Sequence, residues 1–144
     1  MRKFDPRKRS ILDDPKRFLF ENPDAILSEI GVKSGQVVAD IGCGTGFFTL
    51  PLASNVGRKG KVYALDIYPS AIDEVQKLAI EKGLKNIQTI LSYGTTGLTN
   101  ASVDFVLLHK LSYPEAALRE IYRVPRPHGI LYFIGHVIYV KAMK

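Results

Sequence analysis

The ten residues Ala39–Phe48, ADIGCGTGFF, place Gly42, Gly44 and Gly46 at alternating positions directly after a short apolar run. No single regular element accommodates that pattern. Three residues without side chains, spaced by two, specify a turn whose backbone makes an approach that a Cβ would block. With a strand before it and a helix after it, such a turn is the usual nucleotide-binding unit of α/β folds. Two common nucleotide spacings do not fit. Counted from Gly42, the last glycine of G-x-G-x-x-G falls on Phe47, and counted from Gly44 it falls on Thr49. No Gly-Lys-Ser/Thr ending follows, which excludes the phosphate-cradling loop built on that lysine. The pattern present is Asp-x-Gly-x-Gly-x-Gly, from Asp40 to Gly46.

The chain around this turn alternates between two periodicities. Asn22-Pro23 reads as an N-cap and first-turn proline, followed by Ala25, Ile26, Leu27 and Ile30 on one face, with Gly31 as the stop. Gln36–Ile41 reads as a buried strand. Phe47–Asn55 reads as a helix with Phe48, Leu52 and Val56 on one side and Pro51 confined to its first turn. Lys61–Ile67 is a second strand. Pro69 opens a helix with Ile72, Val75, Leu78 and Ala79 at helical spacing, and Gly83 closes it. Asn86–Leu91 and Val103–Leu108 are the third and fourth strands, joined by a polar loop over residues 92–102. Ser112-Tyr113-Pro114-Glu115 has capping-box spacing and starts a helix with Leu118, Ile121 and Tyr122 inside. Gly129–Val137 is the fifth strand. Strands alternating with helices imply an α/β fold, a doubly wound parallel sheet covered on both faces. Its ligand crevice lies at the carboxyl ends of the strands, where Asp40–Gly46 and Asp66 fall.

Length and charge limit the remaining choices. A chain of 144 residues fits one domain, and 46% hydrophobic with 24% charged residues is ordinary for a globular protein. No apolar run reaches the roughly 18–20 residues that span a bilayer, and no signal-peptide core follows the N-terminus. The expectation is a cytoplasmic protein without a membrane partner. The single Cys43 excludes an internal disulfide and suits a reducing compartment. The net charge of +6 is concentrated at the start, where residues 1–20 hold seven Lys or Arg against three Asp. Residues 1–21 are therefore read as a basic, solvated arm and residues 22–144 as the domain. A nucleic-acid partner for the arm stays open, although no RNA-binding, zinc or helix-turn-helix pattern accompanies it.

Asp40–Gly46, followed by Asp66 at the end of the second strand, resembles motif I and the acidic position of class I S-adenosylmethionine-dependent methyltransferases. The resemblance covers about residues 22–137. It is closest to the small-molecule branch typified by quinone-biosynthesis and arsenite methyltransferases, through VADIGCGTGFFTLPLA, KVYALDI and ALREIYRVPRPHG. It implies S-adenosylmethionine as co-substrate, a small-molecule methyl acceptor and no metal. By that resemblance Gly42, Cys43, Gly44 and Gly46 approach the methionine part and ribose, Asp40 lies near the ammonium, Asp66 accepts the ribose hydroxyls and Ile67 faces the adenine. The family's acidic adenine partner after strand three is replaced by Ser92-Tyr93-Gly94-Thr95-Thr96, where Ser92 is expected to bond and Tyr93 to stack. One cysteine is too few to hold a soft arsenic centre, which rejects an arsenite acceptor.

The resemblance implies the strand order 3-2-1-4-5, followed in the family by an antiparallel pair. This chain reaches Lys144 about seven residues after strand five. The expectation is a sheet lacking the C-terminal antiparallel strands, with strand five at an edge. The apolar tail Val137–Val140 is then expected to lengthen strand five and pair with a second copy, giving a homodimer, the alternative being that the first twenty residues, with Phe4, Ile11, Leu12, Phe18, Leu19 and Phe20, fold over the edge or the cofactor. His109, after the fourth strand, is the candidate base or acceptor-orienting group. Lys110 and Tyr113 on the same rim have lesser claims, His136 near the end of the fifth strand has a similar claim, and His128 is expected in an exposed loop. The alternatives are a non-catalytic cofactor-binding domain or subunit, and an RNA or protein methyltransferase working through the basic arm.

Overall fold

Six strands form one sheet in the order β3-β2-β1-β4-β5-β6. The computed structural model describes residues 22–93, 95–109, 119–120, 123–134 and 138–141. The elements are α1 (Pro23–Ile30), β1 (Val37–Ile41), α2 (Thr49–Val56), β2 (Lys61–Asp66), α3 (Pro69–Glu81), β3 (Ile87–Leu91), β4 (Val103–His109), β5 (Pro125–Ile134) and β6 (Ile138–Lys141). The first five strands run parallel, as the alternation of strand and helix patterns requires. The capping-box helix expected from Ser112 and the basic arm lie outside the described residues, apart from helical positions at 119, 120 and 123. Among the described residues no helix is long and apolar enough to cross a membrane.

Local chemistry accounts for the element ends. The Asn22 side chain accepts the Ala25 N–H at 3.2 Å and caps α1, and Gly31 ends it in the left-handed conformation at φ 82°. Helix α2 starts at Thr49 rather than Phe47, which keeps Pro51 within the first turn, where its missing N–H costs no hydrogen bond. The faces expected to be apolar in the first three helices are mostly buried, with Ala25 exposed; Leu118, Ile121 and Tyr122 lie outside the described residues. Leu27, Leu52 and Val56 are fully buried and pack with Val38, Val62, Phe105 and Leu107 on one side of the sheet. Ala39, Leu65, Val106 and Leu108 point to the other side, with Val124. Burial on both faces explains why β1, β2 and β4 read as continuous apolar runs. Each fully buried Leu or Val contributes about 1.5–3 kcal/mol relative to exposure.

Strand five departs from its expected bounds. It begins at Pro125, paired with Val103, and the register then jumps so that Phe105 pairs with Ile130. Residues 126–129 bulge outward opposite Asp104. The Arg126 guanidinium bonds the Asp104 carboxylate at 2.8 Å across the bulge, and the other Asp104 oxygen accepts the Val37 N–H at 2.9 Å. A Cβ on Gly129 would lie 2.8 Å from the Arg126 carbonyl oxygen, so the Pro-His-Gly sequence is shaped by this close return. His128 is exposed there at φ 65°, at the end of the sheet opposite the carboxyl edge.

The tail also departs from expectation. Residues 138–141 do not prolong strand five. They fold back as β6, antiparallel to β5, with Ile130 opposite Lys141 and Phe133 opposite Ile138. The expected five-stranded parallel order stands, and the edge of β5 is covered by the chain itself. An apolar β-forming segment a few residues beyond a strand finds that strand at a far higher effective concentration than a second molecule does. The argument for a dimer through strand five loses its premise, since the ladder is completed in cis. Deleting residues 138–144 is expected to uncover β5 and to raise self-association. Light scattering at micromolar concentration measures this, and a truncated chain no more associated than the full chain refutes it.

Candidate functional site

The carboxyl ends of β1 and β2 are joined by backbone hydrogen bonds into one platform. Gly42 N–H and Cys43 N–H both donate to the Leu65 carbonyl, at 2.8 and 2.9 Å. One residue further, Gly44 N–H donates to Asp66 Oδ2 at 2.8 Å, and Asp66 Oδ1 accepts Tyr68 N–H at 3.0 Å. The Asp66 backbone carbonyl accepts Ser92 N–H at 2.9 Å. The glycine turn, Asp66 and the start of the loop after β3 are therefore brought together as the sequence spacing anticipates. Asp66 is largely buried, and its carboxylate is oriented from two sides before any ligand contributes.

The three glycines differ in role. All have positive φ, 79° at Gly42, 56° at Gly44 and 92° at Gly46, a region side chains rarely enter. Gly42 and Gly44 are partly exposed, whereas Gly46 is buried. A Cβ on Gly46 would meet Val75 Cγ2 at 3.3 Å, so this glycine seats the turn against α3. Cys43 is buried among Ala64, Ile72 and Val75, which makes it a packing residue under the turn. Ile67 is half-buried beside Asp66.

Asp40 lies inside the protein at 1% exposure, and its Oδ2 accepts the Thr49 hydroxyl at 2.6 Å. Thr49 is the first residue of α2, so the carboxylate sits against the positive end of that helix. This bond ties β1 to α2 across the glycine turn. The sequence singles out Asp40, but its partner nine residues on carries no local signal.

The loop after β3 is held from elsewhere. The Ser92 hydroxyl donates to the Thr95 carbonyl and closes a short turn. Tyr93 is 67% exposed. Thr96 is buried against Glu120, whose Oε1 accepts both the backbone N–H and the hydroxyl of Thr96. Arg123 grips the same carboxylate with Nε at 2.8 Å on Oε2 and Nη2 at 2.9 Å on Oε1. Its Nη1 reaches the Leu98 carbonyl and, at 2.9 Å, Asn100 Oδ1. Sequence reasoning passed over this pair. The available signal was Glu120 three residues before Arg123, a spacing that joins side chains on a helix.

The Arg123 guanidinium holds the Glu120 carboxyl well below the usual range, at about 2 against 4.5; burial opposes this, and the Thr96 donors assist. Glu120 in turn raises Arg123 above its ordinary value. His109 closes β4, one residue beyond Leu108, which pairs with Ile41, so its backbone reaches the level of the glycine turn. Lys110, Tyr113 and His136 lie outside the described residues. Among the described residues no group of three or more His, Cys, Asp or Glu is placed to hold a metal ion. A groove of about 760 Å³ between α3 and the start of β3, lined by Arg58, Lys61 and Lys85 among others, lies at the other end of the sheet and shares no residue with this cluster.

Residues 32–143 match the methyltransferase domain family. Over 75 residues the chain is 41% identical to aklanonic acid methyltransferase DauC of Streptomyces sp. (strain C5), covering 51% of this chain and 34% of that protein. Over 111 residues it is 29% identical to demethylmenaquinone methyltransferase of Geobacillus stearothermophilus, covering 73% and 47%. The chain thus spans about a third to a half of the length of these relatives. Its fold superimposes on a solved S-adenosylmethionine-dependent methyltransferase from Aquifex aeolicus with a TM-score of 0.83 and 38% identity, over 91% of this chain and 72% of that one.

The Glu120 carboxyl supports an acid-stability prediction. Its depressed value adds stability that is fully present above the unfolded value of about 4.5 and is lost as pH falls through about 2. Between those limits the unfolded chain binds the extra proton. Urea midpoints of the wild type are expected to fall more steeply from pH 4.5 to 2 than those of Glu120→Gln. Parallel profiles contradict the assignment.

Proposed function

The chain belongs to the class I S-adenosylmethionine-dependent methyltransferases, and from that premise we propose that it transfers a methyl group to a small-molecule acceptor. The observation that carries the reading is the Asp66 carboxylate, fixed by Gly44 N–H and Tyr68 N–H at the rim of the glycine turn. S-adenosylmethionine, when bound, supplies a methyl group on a sulfonium sulfur, already activated for in-line displacement. The residues present suit that ligand. It carries no phosphate, and no phosphate-binding lysine follows the turn. It carries a ribose diol, and Asp66 provides carboxylate oxygens whose direction is already set.

In this reading the backbone of Gly42, Cys43 and Gly44 lines the methionine part and ribose, with Gly46 supporting the turn from beneath. Asp66 accepts the ribose hydroxyls. Asp40 contributes negative charge on the side of the ammonium. Ile67, Ser92 and Tyr93 form the adenine wall. His109 orients the acceptor or takes its proton. The chain's main contribution to rate is then proximity and orientation, worth up to about 7–11 kcal/mol in favourable cases. Relatives named for aklanonic acid and for demethylmenaquinone support a small organic acceptor. Residues 22–144 form the cofactor-binding domain in this reading, and the lone Cys43 suits a reducing, cytoplasmic setting.

Calorimetry with S-adenosylhomocysteine, S-adenosylmethionine and NADH tests the proposal. Both adenosyl ligands are expected to bind and NADH is not. Asp66→Ala is expected to weaken S-adenosylhomocysteine binding by about 2–4 kcal/mol, through loss of two charge-assisted hydrogen bonds. Unchanged affinity in a folded Asp66→Ala protein overturns the ribose assignment. Adenosyl binding without turnover on demethylmenaquinone, aklanonic acid or similar small acceptors favours a non-catalytic binding domain instead.

A further inference from the structure

We infer that Glu120 and Arg123 are positioning residues for the adenine side of the site, acting through Thr96 and its neighbours Ser92, Tyr93 and Thr95. This rests on the methyltransferase reading above and goes beyond it, because neither residue lies in the glycine turn or beside Asp66.

Ser92 and Thr96 are each anchored, and the Ser92 hydroxyl donates to the Thr95 carbonyl between them. Ser92 N–H donates to the Asp66 carbonyl at 2.9 Å, so the first residue is tied to the end of β2. Thr96 is tied to Glu120 through its backbone N–H and its hydroxyl, at 4% and 5% exposure for the two residues. Tyr93 lies between these anchors at 67% exposure, and burial does nothing to fix its ring. Its location therefore follows from where the two anchors hold the backbone. One anchor belongs to the ribose-binding strand end. The other belongs to the helical turn before β5, a part of the chain remote in sequence.

The second anchor is built to resist movement. Arg123 binds Glu120 through two nitrogens, a fork geometry that fixes direction as well as distance. Its third nitrogen holds Leu98 and Asn100, beyond Thr96 on the same loop. The backbone adds Ala101 N–H to the Arg123 carbonyl at 3.0 Å and Ser102 N–H to the Val124 carbonyl at 2.8 Å. Residues 96–102 are thus fastened along the turn that carries Glu120 and Arg123. In this sequence the adenine side has no acidic residue at Ser92–Thr96 to bind the base directly. Stacking and shape must supply more of the recognition, and both depend on backbone placement more than a flexible carboxylate would.

The test is a double-mutant cycle read by calorimetry with S-adenosylhomocysteine and with 5′-methylthioadenosine, which retains the adenosine half. Glu120→Gln keeps the volume and removes the charge that Arg123 and Thr96 share. It is expected to weaken both ligands by about tenfold, measured well below its melting temperature. Thr96→Val, which removes only the hydroxyl, is the gentler variant and is expected to weaken both in the same direction by about threefold. In a Tyr93→Ala background the loss from Glu120→Gln is expected to shrink to less than half, because the element it positions is gone. A merely structural role would lower the melting temperature of both variants and leave the affinity of the folded protein unchanged. Unchanged affinity, or a full tenfold loss that persists without Tyr93, overturns the inference while leaving the methyltransferase reading intact. A wild type that binds neither ligand overturns both.

Discussion

The clasp between the glycine turn and the end of β2 governs the rest of the site. Two backbone bonds from Gly42 and Cys43 to Leu65, and one from Gly44 to the Asp66 carboxylate, make the turn a continuation of the parallel ladder. A ladder between two central strands is shielded from water on both faces, so its geometry is set by packing that involves Val38, Ala39, Val62 and Ala64. The turn inherits that rigidity. Its positive φ angles, costly for any residue with a side chain, are taken by glycines at little steric cost. The same interaction orients Asp66, so one contact shapes the turn and aims the acidic group.

From this clasp the order propagates sideways. The Asp66 carbonyl holds Ser92, and the loop that follows is secured by Glu120 and Arg123 ahead of β5. At the other end of the sheet, Asp104 ties the first residue of β1 to the bulge of β5 through Arg126. Charged side chains thus link these two regions to parts of the chain distant in sequence, while apolar side chains set the layers. Arrangement of this kind lets one scaffold carry many chemistries: the layers fix where loops emerge, and the loops carry the recognition.

Most of the architecture was legible because it is periodic or local. The apolar faces of α1, α2 and α3, the caps at Asn22 and Gly31 and the proline start of α3 are written within a few residues of where they act. The glycine turn and Asp66 were legible for the same reason, since a strand length and a helix length fix their separation. What escaped was non-local. The direction of β6 depends on which way the chain turns after Ile134, and an apolar β-forming segment reads identically whether it prolongs a strand or pairs back on it. The bulge of β5 depends on Asp104 attracting Arg126 across a strand boundary. The Glu120–Arg123 spacing was visible as a helical pair, but its target, Thr96, lies 24 residues earlier.

The position of Asp40 bears on the proposal that this turn, though it resembles nucleotide-binding turns, takes a ligand without phosphate. In phosphate-binding α/β folds the first helix presents its positive end to the anion, an attraction of roughly 0.3–1 kcal/mol at the surface and up to about 2 in a partly buried site. Here the chain places its own carboxylate against the first residue of α2, bonded to Thr49 at 2.6 Å and closed off from solvent. A second anion about 4 Å away would be repelled by about 4 kcal/mol at an effective dielectric of about 20, more than the helix end returns. The balance reverses for a ligand that is cationic at both its ammonium and its sulfonium. On the proposed function, the Asp40 carboxylate disfavours a pyrophosphate and favours such a ligand, and Asp66 at the neighbouring strand end would accept its neutral hydroxyls. On that proposal, the choice between a dinucleotide and an adenosyl sulfonium depends less on the glycines, which both ligand classes require, than on the buried acid in front of them.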